Sequence, residues 1–160
     1  MAERAIILLV DDSEDDILLV RTAFQRAEIP DLLYWVRSGR EALDYLLGEG
    51  KFSDRAEYPL PGLMLLDLKM PEMDGFDVLR WVRTQPGLSR LRVVVLSSSD
   101  QMRDVNQAYQ LGANSFMVKP MDFENYKETA RTLQKYWVLE SKTPEISRQP
   151  RKPVNTKPES

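Results

Sequence analysis

Five polar side chains follow short apolar runs at distant points of the chain, and their types could act together chemically. They are two adjacent acids, a third acid, a serine and a lysine: Asp11, Asp12, Asp67, Ser97 and Lys119. The chain has no cysteine and no histidine, which excludes thiolate nucleophiles, zinc–thiolate sites and imidazole bases. Any chemistry must therefore come from carboxylates, hydroxyls, a lysine ammonium and a hard cation.

Three carboxylates brought close together cannot all stay ionised without help. Two like charges ~4 Å apart repel by about 4 kcal/mol at an effective dielectric constant of about 20, so either a pKa rises or a cation binds. Oxygen ligands without histidine or cysteine suit Mg²⁺. With Lys119 and Ser97 alongside, the site could also hold a phosphoryl group, with Asp67 as the nucleophile that receives it.

The elements that would bring these residues together are strands and helices in alternation. Continuous apolar runs predict buried strands at residues 5–10, 32–36, 63–66, 92–96 and 114–118. Ser13 with Asp16, and Ser38 with Glu41, form capping boxes that predict the starts of two helices. Further helices are predicted at about residues 76–82, at about residues 100–112 and from about residue 122.

Helical spacing also predicts which side chains face inward. In the second helix the inward side chains include Leu46 and Leu47, and in the fourth they include Ala108 and Tyr109. Residues 49–62 show no periodicity, which predicts an exposed loop.

The alternation of strands and helices predicts an α/β fold, a doubly wound domain with a five-stranded parallel sheet and five helices. Because crossovers between parallel strands are right-handed, the carboxyl ends of all strands lie at the same edge of the sheet. Ligands bind at this edge in open parallel sheets. The polar residues that follow the strands should therefore meet in one crevice.

The spacing of these residues resembles that of the CheY-like receiver domains of response regulators in two-component signalling. The resemblance covers about residues 5–139 and rests on Asp11-Asp12, on Asp67, on Ser97 thirty residues later and on Lys119-Pro120 a further twenty-two residues on. It implies that Asp67 accepts a phosphoryl group from the phosphohistidine of a histidine kinase. It also implies a phosphoacceptor switch that catalyses only its own phosphorylation and dephosphorylation.

The resemblance also implies roles for the residues around Asp67. Asp12, Asp67 and the backbone carbonyl of Lys69 would ligate Mg²⁺ directly, with Asp11 acting through a water molecule. Lys119 would bind the acyl phosphate ahead of a cis Lys119–Pro120 bond, an isomer that only X–Pro positions adopt at low cost. Ser97 and Phe116 would be the switch residues.

Two positions depart from common receiver patterns. Lys69 and Ser99 stand two residues beyond Asp67 and Ser97, where receivers often have amide or acidic side chains that position the hydrolytic water. Lys69 could shield the acyl phosphate without orienting water, which predicts slower hydrolysis of the phosphorylated state than in receivers with an amide there and faster decay in Lys69→Asn.

Features outside the site indicate partners. The long loop before the third strand and the aromatic end of the last helix are similar to stand-alone regulators paired with bacterial phytochromes. The last helix continues into Tyr136, Trp137, Val138 and Leu139, which cannot all join one inward stripe because adjacent residues lie about 100° apart. We therefore expect a symmetric homodimer that buries these side chains, unless they fold back onto the chain's own body.

Composition separates an acidic body from a basic tail. Residues 141–160 have five Lys/Arg, two Asp/Glu and four of the ten prolines, which predicts a disordered extension after a receiver domain at residues 1–140. The acidic body argues against nucleic-acid binding. The apolar runs are too short to span a bilayer, and no signal peptide opens the chain, so a cytoplasmic protein without a membrane anchor is expected.

Alternative interpretations remain open at the level of sequence. Taken singly, Asp67 could cap a turn, Ser97 could cap a helix, Phe116 could be a core aromatic and Lys119 could lie on the surface. The rival functions are a phosphatase with an aspartyl nucleophile, a pseudo-receiver that takes no phosphate and a flavodoxin-like flavin binder. The phosphatase usually has a second acid where Lys69 stands, and Asp11-Asp12 would repel a flavin phosphate in the absence of a metal.

Overall fold

The computed structural model describes residues 6–30 and 32–147, with side chains described through residue 135. Strands and helices alternate along these residues as predicted. The elements in chain order are β1 (Ile6–Val10), α1 (Glu14–Arg26), β2 (Leu32–Val36), α2 (Gly39–Leu47), a 3₁₀ helix (Gly50–Phe52), β3 (Leu63–Leu66), α3 (Gly75–Thr84), β4 (Arg92–Ser97), α4 (Met102–Gln110), β5 (Ser115–Val118) and α5 (Phe123–Ser147).

The five strands form one parallel sheet in the order β2-β1-β3-β4-β5. In β3 every residue is buried, because an interior strand with helices on both faces has no solvent-facing side. The pairing places Val10 opposite Leu66 and Leu66 opposite Val95. The carboxyl ends of β1, β3 and β4 therefore lie at the same edge, and the predicted α/β fold is confirmed.

The core consists of two layers, one on each face of the sheet, because alternate strand residues point in opposite directions. Leu8, Met64 and Val93 pack on the face covered by α2, α3 and α4. Ile7 and Leu65 pack on the face covered by α1 and α5. Burial on both faces fixes the register of the strands, since a one-residue slip would turn each side chain to the wrong face.

Side-chain caps fix the helix starts nearest the predicted site. Ser13 Oγ accepts a hydrogen bond from the Asp16 N–H at 3.2 Å, but the Asp16 carboxylate binds elsewhere, so only half of the predicted capping box forms. Ser38 Oγ caps α2 through the Glu41 N–H at 3.0 Å. A complete capping box between Asp74 and Asp77 begins α3 at Gly75, one residue before the predicted start.

The prediction that residues 49–62 form an exposed loop is wrong in part. The segment contains the 3₁₀ helix, and Phe52 is buried against Tyr45 with ring centroids 5.0 Å apart. Tyr58 packs edge-on against Phe52 at 5.2 Å, and Tyr45 Oη donates a hydrogen bond to the Pro59 carbonyl at 2.9 Å. Aromatic contacts of this kind need no regular spacing, which is why periodicity did not reveal them.

Two inward assignments on helices are also wrong. Leu47 and Tyr109 are each 47% exposed. Leu47 is the last residue of α2 before the left-handed cap at Gly48, so it lies beyond the turn that contacts the sheet. In α4 the buried positions are Asp104 and Ala108, four residues apart on one face, and Tyr109 lies about 100° around the helix from Ala108 and further from Asp104.

The last helix runs past the boundary predicted at residue 140, since α5 extends to Ser147. Residues 141–147 are therefore helical, which corrects the prediction of a disordered tail for that part of the segment. Residues 148–160 lie outside the described residues. Within the described part of the chain, no helix is long and apolar enough to cross a membrane.

Candidate functional site

Backbone hydrogen bonds extend the strand pairing by one residue into the loops that contain the polar residues. The Asp11 N–H donates to the Val36 carbonyl at 3.2 Å, and the Asp67 N–H donates to the Val10 carbonyl at 3.0 Å. The Lys119 N–H donates to the Ser97 carbonyl at 2.7 Å. Because each loop begins as an extension of the sheet, the side chains just after the strands are held at one edge.

Three carboxylates converge at this edge. Asp11, Asp12 and Asp67 each offer a carboxylate oxygen, and these oxygens lie within 4.8 Å of one another. Asp11 and Asp67 are buried, whereas Asp12 is exposed. Closely spaced oxygen ligands that are open to water on one side fit a hard cation that retains water ligands. The donor set of this site therefore suits Mg²⁺ or Mn²⁺.

Lys119 is the cation that the chain itself supplies to this cluster. Its Nζ lies 2.8 Å from Asp11 Oδ2, 2.7 Å from Asp16 Oδ2 and 3.7 Å from Asp67 Oδ1. Burial alone would lower the pKa of Lys119, but the hydrogen bonds to Asp11 and Asp16 outweigh it, so the pKa is raised above its ordinary value. The side chain therefore stays fully charged at neutral pH.

Burial has the opposite consequence for the acids. It raises the pKa of Asp67 to about 6, with Asp11 and Asp12 adding to the rise, while Lys119 and the Lys69 N–H oppose it. Burial also raises the pKa of Asp11 above its ordinary range, although Lys119 and the Ser13 N–H oppose this. The raised pKa values show that ionised carboxylates are unfavourable here even beside Lys119, and a bound cation would relieve this by stabilising their charged forms.

The remaining predicted residues surround this cluster. Ser97 is fully buried, and its Oγ accepts a hydrogen bond from the Ser99 N–H at 3.2 Å. Phe116 lies opposite Val95 in the sheet and is partly buried against the core on the α4 face. Lys69 donates its backbone N–H to the Asp67 carboxylate, while its Nζ lies 3.7 Å from Asp104 Oδ2.

One predicted feature is absent, and another lies outside the described residues. The expected cis bond between Lys119 and Pro120 is absent, since the described residues contain no cis peptide. The trans isomer, which X–Pro bonds favour by about 0.5–1 kcal/mol, already brings Lys119 Nζ to the acids. The side chains of Tyr136, Trp137, Val138 and Leu139, which the sequence assigns to a dimer interface, lie outside the described residues.

Sequence reasoning missed two acids at the site. Asp16 was assigned to a helix cap, yet its carboxylate contacts Lys119 Nζ at 2.7 Å. Asp104 is not among the inward residues predicted for α4, yet it is buried and contacts both Ser99 and Lys69. The signal for Asp16 was its position in the first turn of α1, which begins directly after the Asp11-Asp12 pair at the sheet edge.

The chain matches a known protein family over most of its length. Residues 7–131 match the response regulator receiver domain, and the chain therefore belongs to this family of two-component signalling proteins. Its sequence is 35% identical over 139 residues to the probable methanogenesis regulatory protein FilR2 of Methanothrix harundinacea, a match that covers 87% of each chain.

Two further relatives are regulators from cyanobacteria. The response regulator Rcp1 of Synechocystis is 32% identical over 133 residues, covering 83% of this chain and 88% of Rcp1. The structure of the phosphorylated cyanobacterial phytochrome response regulator RcpA superposes with a TM-score of 0.77 at 32% identity, covering 85% of this chain and 95% of RcpA. Rcp1 has been solved in a Mn²⁺-bound form, with a TM-score of 0.73. The resemblance found in the sequence is confirmed.

Proposed function

We propose that the chain is a phosphoacceptor switch in which Asp67 takes a phosphoryl group from the phosphohistidine of a histidine kinase. The observation that carries the proposal is the buried Asp67 carboxylate, which lies 3.7 Å from Lys119 Nζ and within 4.8 Å of two further carboxylates. A turn-capping acid would have no need for a buried lysine and two acidic neighbours.

The phosphoryl transfer from histidine to Asp67 needs no group beyond the two side chains, a proton and the charges of the site. A carboxylate oxygen of Asp67 attacks phosphorus and forms a P–O bond while the P–N bond to the histidine breaks. The electron pair of the P–N bond stays on the imidazole nitrogen, which takes up a proton. Because the pKa of Asp67 is raised only to about 6, most of the carboxylate is ionised and nucleophilic at neutral pH. The Lys119 ammonium lies where it can neutralise charge on the phosphoryl oxygens.

The site includes the residues that would hold Mg²⁺. Asp12, Asp67 and the Lys69 carbonyl would bind it directly, and Asp11 would bind it through a water molecule. The all-oxygen donor set supports this assignment. When bound, the cation supplies positive charge beside the phosphoryl oxygens.

Two side chains would signal the change to the surface. Ser97 Oγ accepts only one hydrogen bond that the structure records, from the Ser99 N–H, so its hydroxyl can turn to donate to a phosphoryl oxygen. Phe116 lies in the strand next to Ser97 and would move inward as Ser97 turns. This pair would link Asp67 to the face formed by α4, β5 and α5.

The proposed function also implies particular partners. The input would be a histidine kinase, and the likeness to the phytochrome response regulator RcpA supports a bacterial phytochrome in that role. The face that includes α5 would form a homodimer through Tyr136, Trp137, Val138 and Leu139. We place the regulator in the cytoplasm, without a nucleic-acid or membrane partner and with residues 148–160 as a basic extension.

Incubation with Mg²⁺ and a small phosphodonor, followed by intact-mass measurement, tests the proposal. We expect one added phosphoryl group on the wild type and none on Asp67→Asn. The variant Asp77→Asn is a matched control, since Asp77 is an exposed acid in the capping box of α3, and it should label like the wild type. Equal labelling of the wild type and Asp67→Asn would refute Asp67 as the acceptor.

A further inference from the structure

Only four polar side chains are buried among the residues whose side chains are described: Asp11, Asp67, Ser97 and Asp104. The first three belong to the site described above. Asp104 lies in the first turn of α4 and is 6% exposed. Burying a carboxylate is costly unless it is paired and hydrogen-bonded, so its contacts indicate what it does.

Both polar contacts of the Asp104 side chain are made by Oδ2. Ser99 Oγ donates a hydrogen bond to it at 2.5 Å, and Lys69 Nζ lies 3.7 Å away. These partners stand two residues after Ser97 and two residues after Asp67. One buried oxygen thus contacts one side chain from the loop that carries Asp67 and one from the loop after β4.

The sheet order shows where this bridge lies. Strands β3 and β4 are neighbours, with Leu66 paired to Val95, so the loops that follow them lie side by side at the carboxyl edge. Lys69 belongs to the first loop and Ser99 to the second, and Asp104 joins them. On the β1 side of Asp67, Lys119 Nζ contacts Asp11 at 2.8 Å and Asp16 at 2.7 Å. The Asp104 bridge lies on the β4 side.

We propose that Asp104 is a positioning residue that holds Lys69 across the gap between these loops and thereby slows hydrolysis of the phosphorylated Asp67. The inference rests on the proposed function. Ser99 orients the Asp104 carboxylate, and this carboxylate is the ion-pair partner that draws the Lys69 ammonium toward the loop after β4, although the Lys69 side chain is 62% exposed.

The step that the bridge slows is attack by water on the acyl phosphate. A water oxygen attacks phosphorus, the P–O bond to Asp67 breaks, and its electron pair returns to the carboxylate. The water proton passes to solvent, and inorganic phosphate leaves. The attacking water must lie roughly in line with the breaking bond, and a fixed side chain beside the site reduces the positions that such a water can take.

The test compares the decay of the phosphorylated state in four proteins: wild type, Asp104→Asn, Lys69→Ala and the double variant. Each is labelled with Mg²⁺ and a small phosphodonor, the donor is removed, and loss of the phosphoryl group is followed by intact mass. Asp104→Asn keeps an oxygen that can accept from Ser99 but loses the charge that holds Lys69. We expect about threefold faster decay, in keeping with a partly exposed ion pair.

A double-mutant comparison separates positioning from a merely structural role. If Asp104 acts through Lys69, Asp104→Asn has no further effect on decay once Lys69 is alanine. Glu128→Gln is the matched control, because it removes the exposed ion pair with Arg131 (2.9 Å) on α5, away from the site. This control should decay like the wild type.

The outcomes are distinguishable from failure of the proposed function. If the wild type takes no phosphoryl group, both the proposed function and this inference fail. If it is labelled but Asp104→Asn and Lys69→Ala decay at the wild-type rate, or if their effects simply multiply in the double variant, only the inference is overturned. If Asp104→Asn does not fold, Ser99→Ala takes its place in the same comparison, because it removes the hydroxyl that orients the Asp104 carboxylate.

Discussion

Replacing Asp67 by asparagine should stabilise the metal-free protein at neutral pH, because the fold buries a carboxylate that would ionise more easily in water. Asparagine has nearly the same shape and cannot ionise. Its side-chain oxygen can still accept the hydrogen bond that the Lys69 N–H donates to Asp67. The change therefore isolates the cost of the buried negative charge.

The magnitude follows from the pKa of Asp67, which is about 6 in the folded protein and 3.8 in the ordinary reference state. The folded state holds this proton more tightly, so the free energy of unfolding decreases as pH rises from about 4 to about 6 and is constant beyond. One pKa unit corresponds to 1.36 kcal/mol, which gives a loss of about 3 kcal/mol at pH 7 and above. Asp67→Asn does not suffer this loss.

Thermal unfolding in a chelator-containing buffer between about pH 4 and pH 8 measures the effect. At about 2–4 °C per kcal/mol for a domain of this size, the variant should melt about 6–12 °C above the wild type at pH 7.5. The difference should shrink toward zero near pH 4. Glu128→Gln is the control, since Glu128 is an exposed acid on α5 and is not among the groups that shift the pKa of Asp67. The reasoning would be refuted if Asp67→Asn melted no higher than the wild type at pH 7.5. It would also be refuted if the difference in melting temperature were as large at pH 4 as at pH 7.5.

Two further predictions concern the metal and the dimer. Mg²⁺ should raise the melting temperature of the wild type and have a much smaller effect on Asp12→Ala, because ligands stabilise the folded state that binds them; equal shifts would remove Asp12 from the ligand set. Light scattering at micromolar concentration should show a wild-type dimer and a monomeric Trp137→Ala, Leu139→Ala variant, since leaving such side chains in water forgoes roughly 1.5–3 kcal/mol each. A monomeric wild type, with or without phosphodonor, would exclude the dimer.

The sheet and its acidic edge could be predicted from sequence because both depend on strong local signals. A run such as Leu63–Leu66 is too short for a helix and is followed at once by Asp67, so strand and strand end are both marked. Strand ends of a parallel sheet share one edge whatever the details of packing. The convergence of Asp11, Asp67 and Lys119 therefore required no knowledge of side-chain contacts.

The missed features depend on contacts that local pattern does not encode. Polarity does not mark an acid in a helix as buried, so the predicted inward residues of α4 include Tyr109 and not Asp104. In the structure Asp104 is buried, and its partners are Ser99, five residues before it, and Lys69 from the loop after β3. Asp16 was likewise explained locally as a cap, although its partner Lys119 is 103 residues away.

A last prediction concerns Gly75, where the loop that carries Asp67 passes so close that there is no room for a side chain. A Cβ built at Gly75 would lie 2.8 Å from Leu68 Cα and closer still to the Asp67 carbonyl oxygen. Both are backbone atoms, which cannot rotate away, and the Gly75 N–H also donates to the Leu68 carbonyl at 3.0 Å. Any side chain here must push the start of α3 away from the loop after β3.

Gly75→Ala should therefore reduce both stability and labelling. We expect a loss of about 2–3 kcal/mol from overpacking, together with slower phosphorylation as Asp67 shifts from Asp11 and Lys119. Gly87→Ala is the matched control: nothing lies within 4 Å of its Cβ, but its φ of 85° disfavours alanine, at about 1–2 kcal/mol. Denaturant unfolding and phosphodonor labelling distinguish the two, because only Gly75 contacts the acceptor loop. If Gly75→Ala were labelled as fast as Gly87→Ala, the tight approach of α3 would not be what positions Asp67.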